Sequence, residues 1–334
     1  MDLQFLGTGG SQPIPLPTCD CRLCVEARER GAPAARRGYS MHLPGCDAVI
    51  DAPEQTLENL VRWGVDTVEY CLLTHWHPDH SGGLRALPMG PLDTRDEETF
   101  RDAKRRAAPT LVTTRAVYER ARETVGVLGF HVDEGYVDTV FLDERAEPFD
   151  LGGVTVEALP YPLADDESPP RATGFLLRGS PTGAAAARDG ETTPEATGSD
   201  ATTTDETRLD DESDASGDDS TRTTLAIVPD DAARFDPTRL PDDLDAAVFE
   251  CGYFTHDPNG ERIRSPALET DDLSHEAVLE RAATVDADRT FLSHVGHQYA
   301  RSHAELRALA AAYREDPDRP DGVVFPHDGL RVSI

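Results

Sequence analysis

Lysine is all but missing from these 334 residues: Lys104 stands alone, and arginine carries the rest of the basic charge. Aromatic residues make up only 6%, so the core must be built mainly from aliphatic side chains. No apolar run approaches the roughly 18 residues needed to cross a bilayer. The opening Met1-Asp2-Leu3-Gln4-Phe5-Leu6 reads as a first strand, not as a charged-then-apolar leader. A soluble cytoplasmic protein with no membrane partner is expected. Clustered positive charge is absent too, and a formal net charge of -31 disfavours nucleic acid as a partner. Asp and Glu in such excess over Lys read as a halophilic adaptation, because at molar salt a screening length of about 3 Å makes the self-repulsion tolerable.

The six cysteines come without a secretory signal, so a disulfide framework is not expected. Cys71 and Cys251 lie in apolar runs and read as small buried hydrophobes. Cys19, Cys21 and Cys24 differ from these. Three thiols at CxCxxC spacing can grip one tetrahedral zinc, which then needs a fourth ligand. His297, three residues beyond His294, is the candidate.

What the chain has in abundance is concentrated in Leu72-Leu73-Thr74-His75-Trp76-His77-Pro78-Asp79-His80-Ser81-Gly82-Gly83. An apolar strand runs into three histidines and an aspartate, a set that suits Zn, Mn or Fe. If the strand continues, His75 and His77 project to one side, while Asp79 and His80 return from the following turn. That makes two pairs of ligands for two neighbouring metal positions. Gly82-Gly83 permits close backbone approach. Thr8-Gly9-Gly10-Ser11 is a second glycine-rich turn; it lacks the lysine and spacing of a nucleotide P-loop and is expected beside the metal centre.

The HxHxDH stretch resembles the signature of metallo-β-lactamase fold hydrolases. Leu6 to Ser11, Ile50-Asp51-Ala52, Pro229-Asp230 and Leu292-Ser293-His294 follow in the order that fold requires. With CxCxxC and the late Ser293-His294-Val295-Gly296-His297-Gln298, the chain resembles the phosphoribosyl 1,2-cyclic phosphate phosphodiesterases of the carbon–phosphorus lyase pathway. A similar cysteine cluster occurs in the related family of pyrroloquinoline quinone biosynthesis. The resemblance implies an α/β fold, an αββα sandwich, with two divalent metals (Mn or Zn) at the active site and one structural Zn. It implies His75 and His77 on the first metal, Asp79, His80 and His294 on the second, and Asp230 bridging. Asp79 is also a candidate catalytic group.

Two departures from the family follow. Its third histidine for the first metal has no counterpart after Leu159-Pro160, where Asp165, Asp166 or Glu167 is expected to supply an oxygen instead. Its acid histidine is not matched in register, and His275 and His256 are the candidates.

The remaining elements are read from periodicity. Strands are expected at residues 37–41, 47–51, 111–114, 137–142, 154–159, 175–177, 224–228, 246–251, 289–292, 322–325 and 330–334. Helices are expected at 54–63, with Leu57, Leu60 and Val61 on one face, and at 115–125, 273–285 and 302–314. Ser302 and Glu305 make a capping box at the start of the last. Asp271 and Asp272 sit near the start of the third, and His131 is assigned to a solvated loop. One domain, 1–334, is expected, with a charged surface insert at 90–108. At 180–223 the composition is too polar to offset its ordering entropy, and a disordered acidic insert is expected.

The leading function is a metal-dependent phosphodiesterase acting on a small cyclic or nucleotide-like phosphate, with a second copy of the chain as a further partner. The alternatives are another metallo-hydrolase of this fold (ester, thioester or tRNA-processing nuclease) and a non-catalytic metal-binding relative.

Overall fold

The computed structural model describes residues 1–88, 100–165, 169–179, 222–263, 273–299, 301–316, 318–320 and 322–334. The first strands are β1 (Asp2–Gly7), β2 (Ser40–Leu43), β3 (Ala48–Ile50), β4 (Tyr70–Leu72), β5 (Thr110–Thr113) and β6 (Asp138–Phe141). They are followed by β7 (Phe149–Asp150), β8 (Val154–Tyr161), β9 (Ala172–Gly179), β10 (Thr223–Val228), β11 (Leu244–Glu250), β12 (Ala287–Ser293), β13 (Val323–Val324) and β14 (Arg331–Ser333). The helices are α1 (Arg22–Arg30), α2 (Thr56–Trp63), α3 (Pro78–Ser81), α4 (Phe100–Arg106), α5 (Arg115–Thr124), α6 (Leu128–Asp133), α7 (His275–Ala282) and α8 (His303–Tyr313). No described helix is long and apolar enough to cross a membrane.

Among the described residues the strands form two seven-stranded sheets, in the orders β14-β1-β2-β3-β4-β5-β6 and β13-β12-β11-β10-β9-β8-β7. Alternate residues on each strand face opposite sides. Leu3, Phe5, Met41 and Ile50 of the first sheet therefore meet Phe175, Leu225, Ile227 and Val248 of the second in one inner core. On the outer face of the second sheet, Ala247 and Phe249 pack with Val278 and Leu279 of α7 and Leu306 of α8. On the outer face of the first, Val49, Cys71 and Leu111 pack with Val117 and Ala121 of α5 and Leu128 of α6. This is the four-layer αββα sandwich expected.

Within the first sheet β3 to β6 run parallel, and within the second β10 to β13 do so. Parallel strands direct all their carboxyl ends to one edge, where ligands of open α/β sheets collect. The ends of β3, β4, β10 and β12 carry Asp51, His75, Asp230 and His294. Thr74 stitches the two sheets at that edge, its carbonyl accepting from the N–H of Thr173 at 2.8 Å.

Several expectations are corrected. Residues 100–106 of the charged insert form α4, while 89–99 lie outside the described residues. Thr223, given to the acidic insert, pairs with Gly179 as the first residue of β10; the segment 180–221 lies outside the described residues. Asp271 and Asp272 also lie outside them, and Ser274 caps α7, accepting from the N–H of Ala277. His131 is buried on α6, not solvated in a loop. The apolar face assigned to α2 enters the core only in part: Leu60, with Trp63, packs against the outer core of the first sheet. Val61 is 84% exposed and Leu57 is exposed too, while Thr56 and Asn59 of the same helix are buried. Leu57, Leu60 and Val61 line an open groove of about 510 Å³ with Val65, Val68 and Leu87.

Candidate metal centre

The HxHxDH stretch bends sharply after β4. His77 precedes α3, Pro78 opens that single turn, and Asp79 and His80 come back toward the strand end. The bend needs Gly83, where a Cβ would sit 2.1 Å from the carbonyl oxygen of Pro53. The carbonyl of Ala52 accepts from Gly83, and the N–H of Ala52 donates to the carbonyl of His80, so the segment directly after β3 grips the turn from both ends.

Two groups of donor atoms result, each within 4.8 Å of one another. The first is His75, His77 and Asp230; the second is Asp79, His80, Asp230 and His294. In the first, Nε2 of His75 lies 3.0 Å from Nδ1 of His77 and 3.5 Å from Oδ2 of Asp230. In the second, Nε2 of His294 lies 3.1 Å from Nε2 of His80, 3.1 Å from Oδ1 of Asp230 and 3.2 Å from Oδ2 of Asp79. Ligand atoms about 2.0–2.1 Å from a tetrahedral zinc stand roughly 3.3 Å apart, so these separations suit cations between the side chains. Oδ1 of Asp230 is buried with no hydrogen-bond partner among the described residues, which a cation would supply. Asp230 thus presents one oxygen to each group.

The outer nitrogens are held as well. Nδ1 of His80 donates to the buried Asp51 carboxylate at 2.7 Å. Nδ1 of His75 lies 3.0 Å from the Thr74 hydroxyl, which itself donates to Asp51. Such partners fix the tautomer that leaves Nε2 bare for a metal. In the sequence Asp51 and Thr74 stand out only as residues at strand ends. The signal for their role is the position itself: an acidic residue ending the strand next to β4, and a hydroxyl directly before the first histidine. His294 has backbone φ 61°, and Gly10 makes room for its ring, since a Cβ there would sit 3.1 Å from Cε1. The glycine-rich turn therefore does lie beside the centre.

Burial and neighbouring charge shift several groups of the cluster. Burial alone would raise the Asp79 carboxyl, but His80 and the hydrogen bond from His294 outweigh it and hold it well below the usual carboxylate range. Burial lowers His75 to about 4, leaving it neutral. Glu250 at the end of β11 is pushed well up, by burial first and then by Asp230 and Asp231. Its carboxyl accepts from the N–H of Ala232 at 2.7 Å and fixes the turn that carries Asp230.

The other candidates fall as follows. His275 is not brought to the cluster. It is buried at the start of α7, with Nδ1 on the carbonyl of Cys251 and Nε2 2.8 Å from the hydroxyl of Tyr313. Both ring nitrogens are committed to packing, which removes it as an acid. His256 is exposed, Nδ1 against the hydroxyl of Thr255, and is likewise outside the cluster. Asp165 lies 3.1 Å from Nε2 of His77 but is not in the first donor group; Asp166 and Glu167 lie outside the described residues.

Cys19, Cys21, Cys24 and His297 form a third group within 4.8 Å, joining a segment near the start of the chain to the loop after β12. Nε2 of His297 lies 3.2 Å from Sγ of Cys21 and 3.4 Å from Sγ of Cys19. Burial raises the Cys21 thiol, yet hydrogen bonds from the Cys24 backbone and from His297 outweigh it and bring it to about 6, favouring the thiolate that binds metal. Three thiolates and an imidazole are the composition of a closed zinc site. Cys24 lies in α1, a helix the sequence reading passed over. Cys71 and Cys251 are fully buried, as expected.

The profile of the Metallo-beta-lactamase superfamily matches residues 44–88, the span of β3, β4 and α3. No curated protein matches the sequence. Among solved structures, a new diphosphatase from the PhnP family superposes with a TM-score of 0.60 at 15% identity, covering 100% of this chain and 97% of that one. Zinc-bound PqqB from Methylobacterium extorquens gives 0.59 at 16% identity, over 100% of both chains. The short form of human tRNase Z gives 0.53 at 15% identity, over 100% of this chain and 99% of that one. At these identities the likeness is one of fold. The chain has the metallo-β-lactamase fold.

Proposed function

We propose that this chain of the metallo-β-lactamase fold is a metal-dependent hydrolase of small phosphodiesters, cyclic or nucleotide-like. The observation that carries the reading is Asp230, whose two oxygens face two separate donor groups while one of them lacks any other partner among the described residues. His75, His77 and Asp230 would hold one divalent cation, and Asp79, His80, His294 and Asp230 a second. Imidazole and carboxylate donors fit Mn or Zn. When bound, such a pair lowers the pKa of water and offsets charge on phosphoryl oxygens.

The chain's own residues prepare that site. Asp51 and Thr74 orient His80 and His75, and the Tyr161 hydroxyl donates to the carbonyl of Asp230 at 2.7 Å, fixing the backbone of the residue that would contribute to both cations. The resemblance to the phosphodiesterase family adds to the reading through the CxCxxC and HxxH segments, and the diphosphatase through its shared fold. The four-donor Cys19, Cys21, Cys24 and His297 group would hold a structural zinc apart from the reacting atoms.

Mn-loaded protein in high salt, offered a panel of cyclic and linear phosphodiesters, phosphomonoesters, thioesters and tRNA precursors, tests this. Turnover confined to phosphodiesters, and lost in His77→Ala, is the expected result. Thioester or tRNA cleavage without phosphodiester turnover would move the function to another hydrolase of this fold. Metal bound with no turnover would mark a non-catalytic protein.

A further inference from the structure

Asp165, Asp166 or Glu167 is expected from the sequence to supply an oxygen ligand to the first metal, and of the three Asp165 is among the described residues. The geometry shows that it does something else. In His77 the two ring nitrogens point to opposite ends. Nδ1 lies 3.0 Å from Nε2 of His75 and 3.9 Å from Oδ2 of Asp230, and Nε2 lies 3.1 Å from Oδ2 of Asp165. Asp165 is therefore across the ring from the donor group, not in it.

We infer that Asp165 is a positioning residue: it accepts a hydrogen bond from Nε2–H of His77, fixes the tautomer whose Nδ1 faces the first metal position, and leaves that position with three protein donors among the described residues where the second has four. This rests on the reading of the cluster as a metal centre given above.

Three observations support it. The same device recurs on the two neighbouring histidines: Asp51 grips the outer nitrogen of His80 directly, and that of His75 through Thr74. With Asp165 on His77, every histidine of the HxHxDH stretch has its outer nitrogen tied to a carboxylate, as metal-bound histidines usually do. Next, the segment carrying Asp165 is built to the same turn as Asp230. The N–H of Ala164 donates to Oδ2 of Asp231 at 2.6 Å, the Tyr161 hydroxyl donates to the carbonyl of Asp230, and Leu163 between them is fully buried. Finally, the Asp165 side chain is 59% exposed against 22% for His77, a placement at the rim of the centre.

The consequence is an asymmetric pair. Four protein donors close a tetrahedral position, whereas three leave a vertex open to water or substrate. The second position should therefore fill first and hold its cation, and the first should load later and exchange.

Mn2+ binding to the full-length protein, with zinc left on the cysteine group, is the test; thiolates discriminate against Mn2+ and keep that group silent. Electron paramagnetic resonance counts free Mn2+ during the titration. The wild type should show two classes of site. Asp165→Ala should weaken only the weaker class, by about 10- to 100-fold. Asp165→Asn should restore most of that loss, because the amide oxygen still accepts from Nε2–H. A single Mn2+ class in the wild type, no change in Asp165→Ala, loss at both classes, or equal losses in the Ala and Asn variants would each overturn the inference. The last would mark Asp165 as a direct ligand. Binding is read without turnover, so two Mn2+ bound and no phosphodiester cleaved would sink the functional reading while leaving this one standing.

Discussion

Oδ2 of Asp51 lies 2.7 Å from Nδ1 of His80, with both side chains fully buried. The same carboxylate also takes the N–H and the hydroxyl of Thr74, so one group orients two histidines. Asp51 has φ 59°, a left-handed conformation that asparagine tolerates better than most residues. Asp51→Asn should keep the backbone but turn one of two accepting oxygens into a donor, because Oδ1 accepts from the N–H of Thr74 and Oδ2 from His80. Metal affinity at the second position should fall by about 10- to 100-fold, read by Mn2+ titration. Unchanged affinity would show that the hydrogen bond alone suffices.

His77→Ala and Asp230→Ala should each abolish phosphodiester cleavage with the far-ultraviolet circular dichroism unchanged. They should differ in metal content: His77→Ala loses occupancy at the first position only, Asp230→Ala at both, because its oxygens face different groups. Equal losses in the two variants would contradict the bridging geometry.

Cys21→Ser should lower zinc content and melting temperature together, since a four-donor site that joins residues 19–24 to the loop after β12 contributes directly to folding. Zinc measured by atomic emission beside calorimetric melting checks the pairing. Unaltered zinc with a lower melting point would separate the cysteines from any metal.

Metal uptake should expel protons. Burial alone lowers the pKa of His80, but Asp230, Asp51 and Asp79 outweigh it and raise it well above 6.5 in the metal-free centre. A cation needs Nε2 bare, so apparent affinity at the second position should fall as pH falls through and below that raised value, by about tenfold per unit. In the metal-free protein the sign is opposite. The raised pKa stabilises the fold fully below about 6.5, and that contribution is lost as pH rises through the folded-state value. Calorimetry in two buffers of different ionisation enthalpy measures the release, and zero protons released would refute the assignment.

Deleting residues 183–219 should leave melting and turnover essentially unchanged. Their composition offers too little apolar surface to join a core. The strands on either side are already paired, Gly179 opposite Thr223, so a short loop can close the gap. A fall in melting temperature beyond a few degrees would count against this.

The ligand stretch was readable because histidines and aspartate crowded at a strand end serve no packing purpose. Asp51 was visible as a residue but not as a partner. Its role arises from β3 lying beside β4, Ile50 opposite Leu72, a pairing that no local pattern encodes. Helix α1 went unread because its buried residues, Leu23, Cys24 and Ala27, make too thin an apolar stripe among charged neighbours. The stripe on α2 was clear, yet only Leu60 of its three residues packs against the core, and Leu57 and Val61 stay exposed along a groove. His275 misled through chemistry: histidine beside a helix start suggested an acid, but the packing of α7 on α8 turned it toward Tyr313.

The donors of the centre come from different halves of the sandwich. His75, His77, Asp79 and His80 follow β4 of one sheet, while Asp230 and His294 follow β10 and β12 of the other. A cation held between them would be a rivet through the seam. Prising the sheets apart at that edge would then mean breaking coordination bonds as well as parting apolar faces. The amide hydrogens of β4 and β10 should then exchange with solvent together, at a pace set by how often the metal lets go.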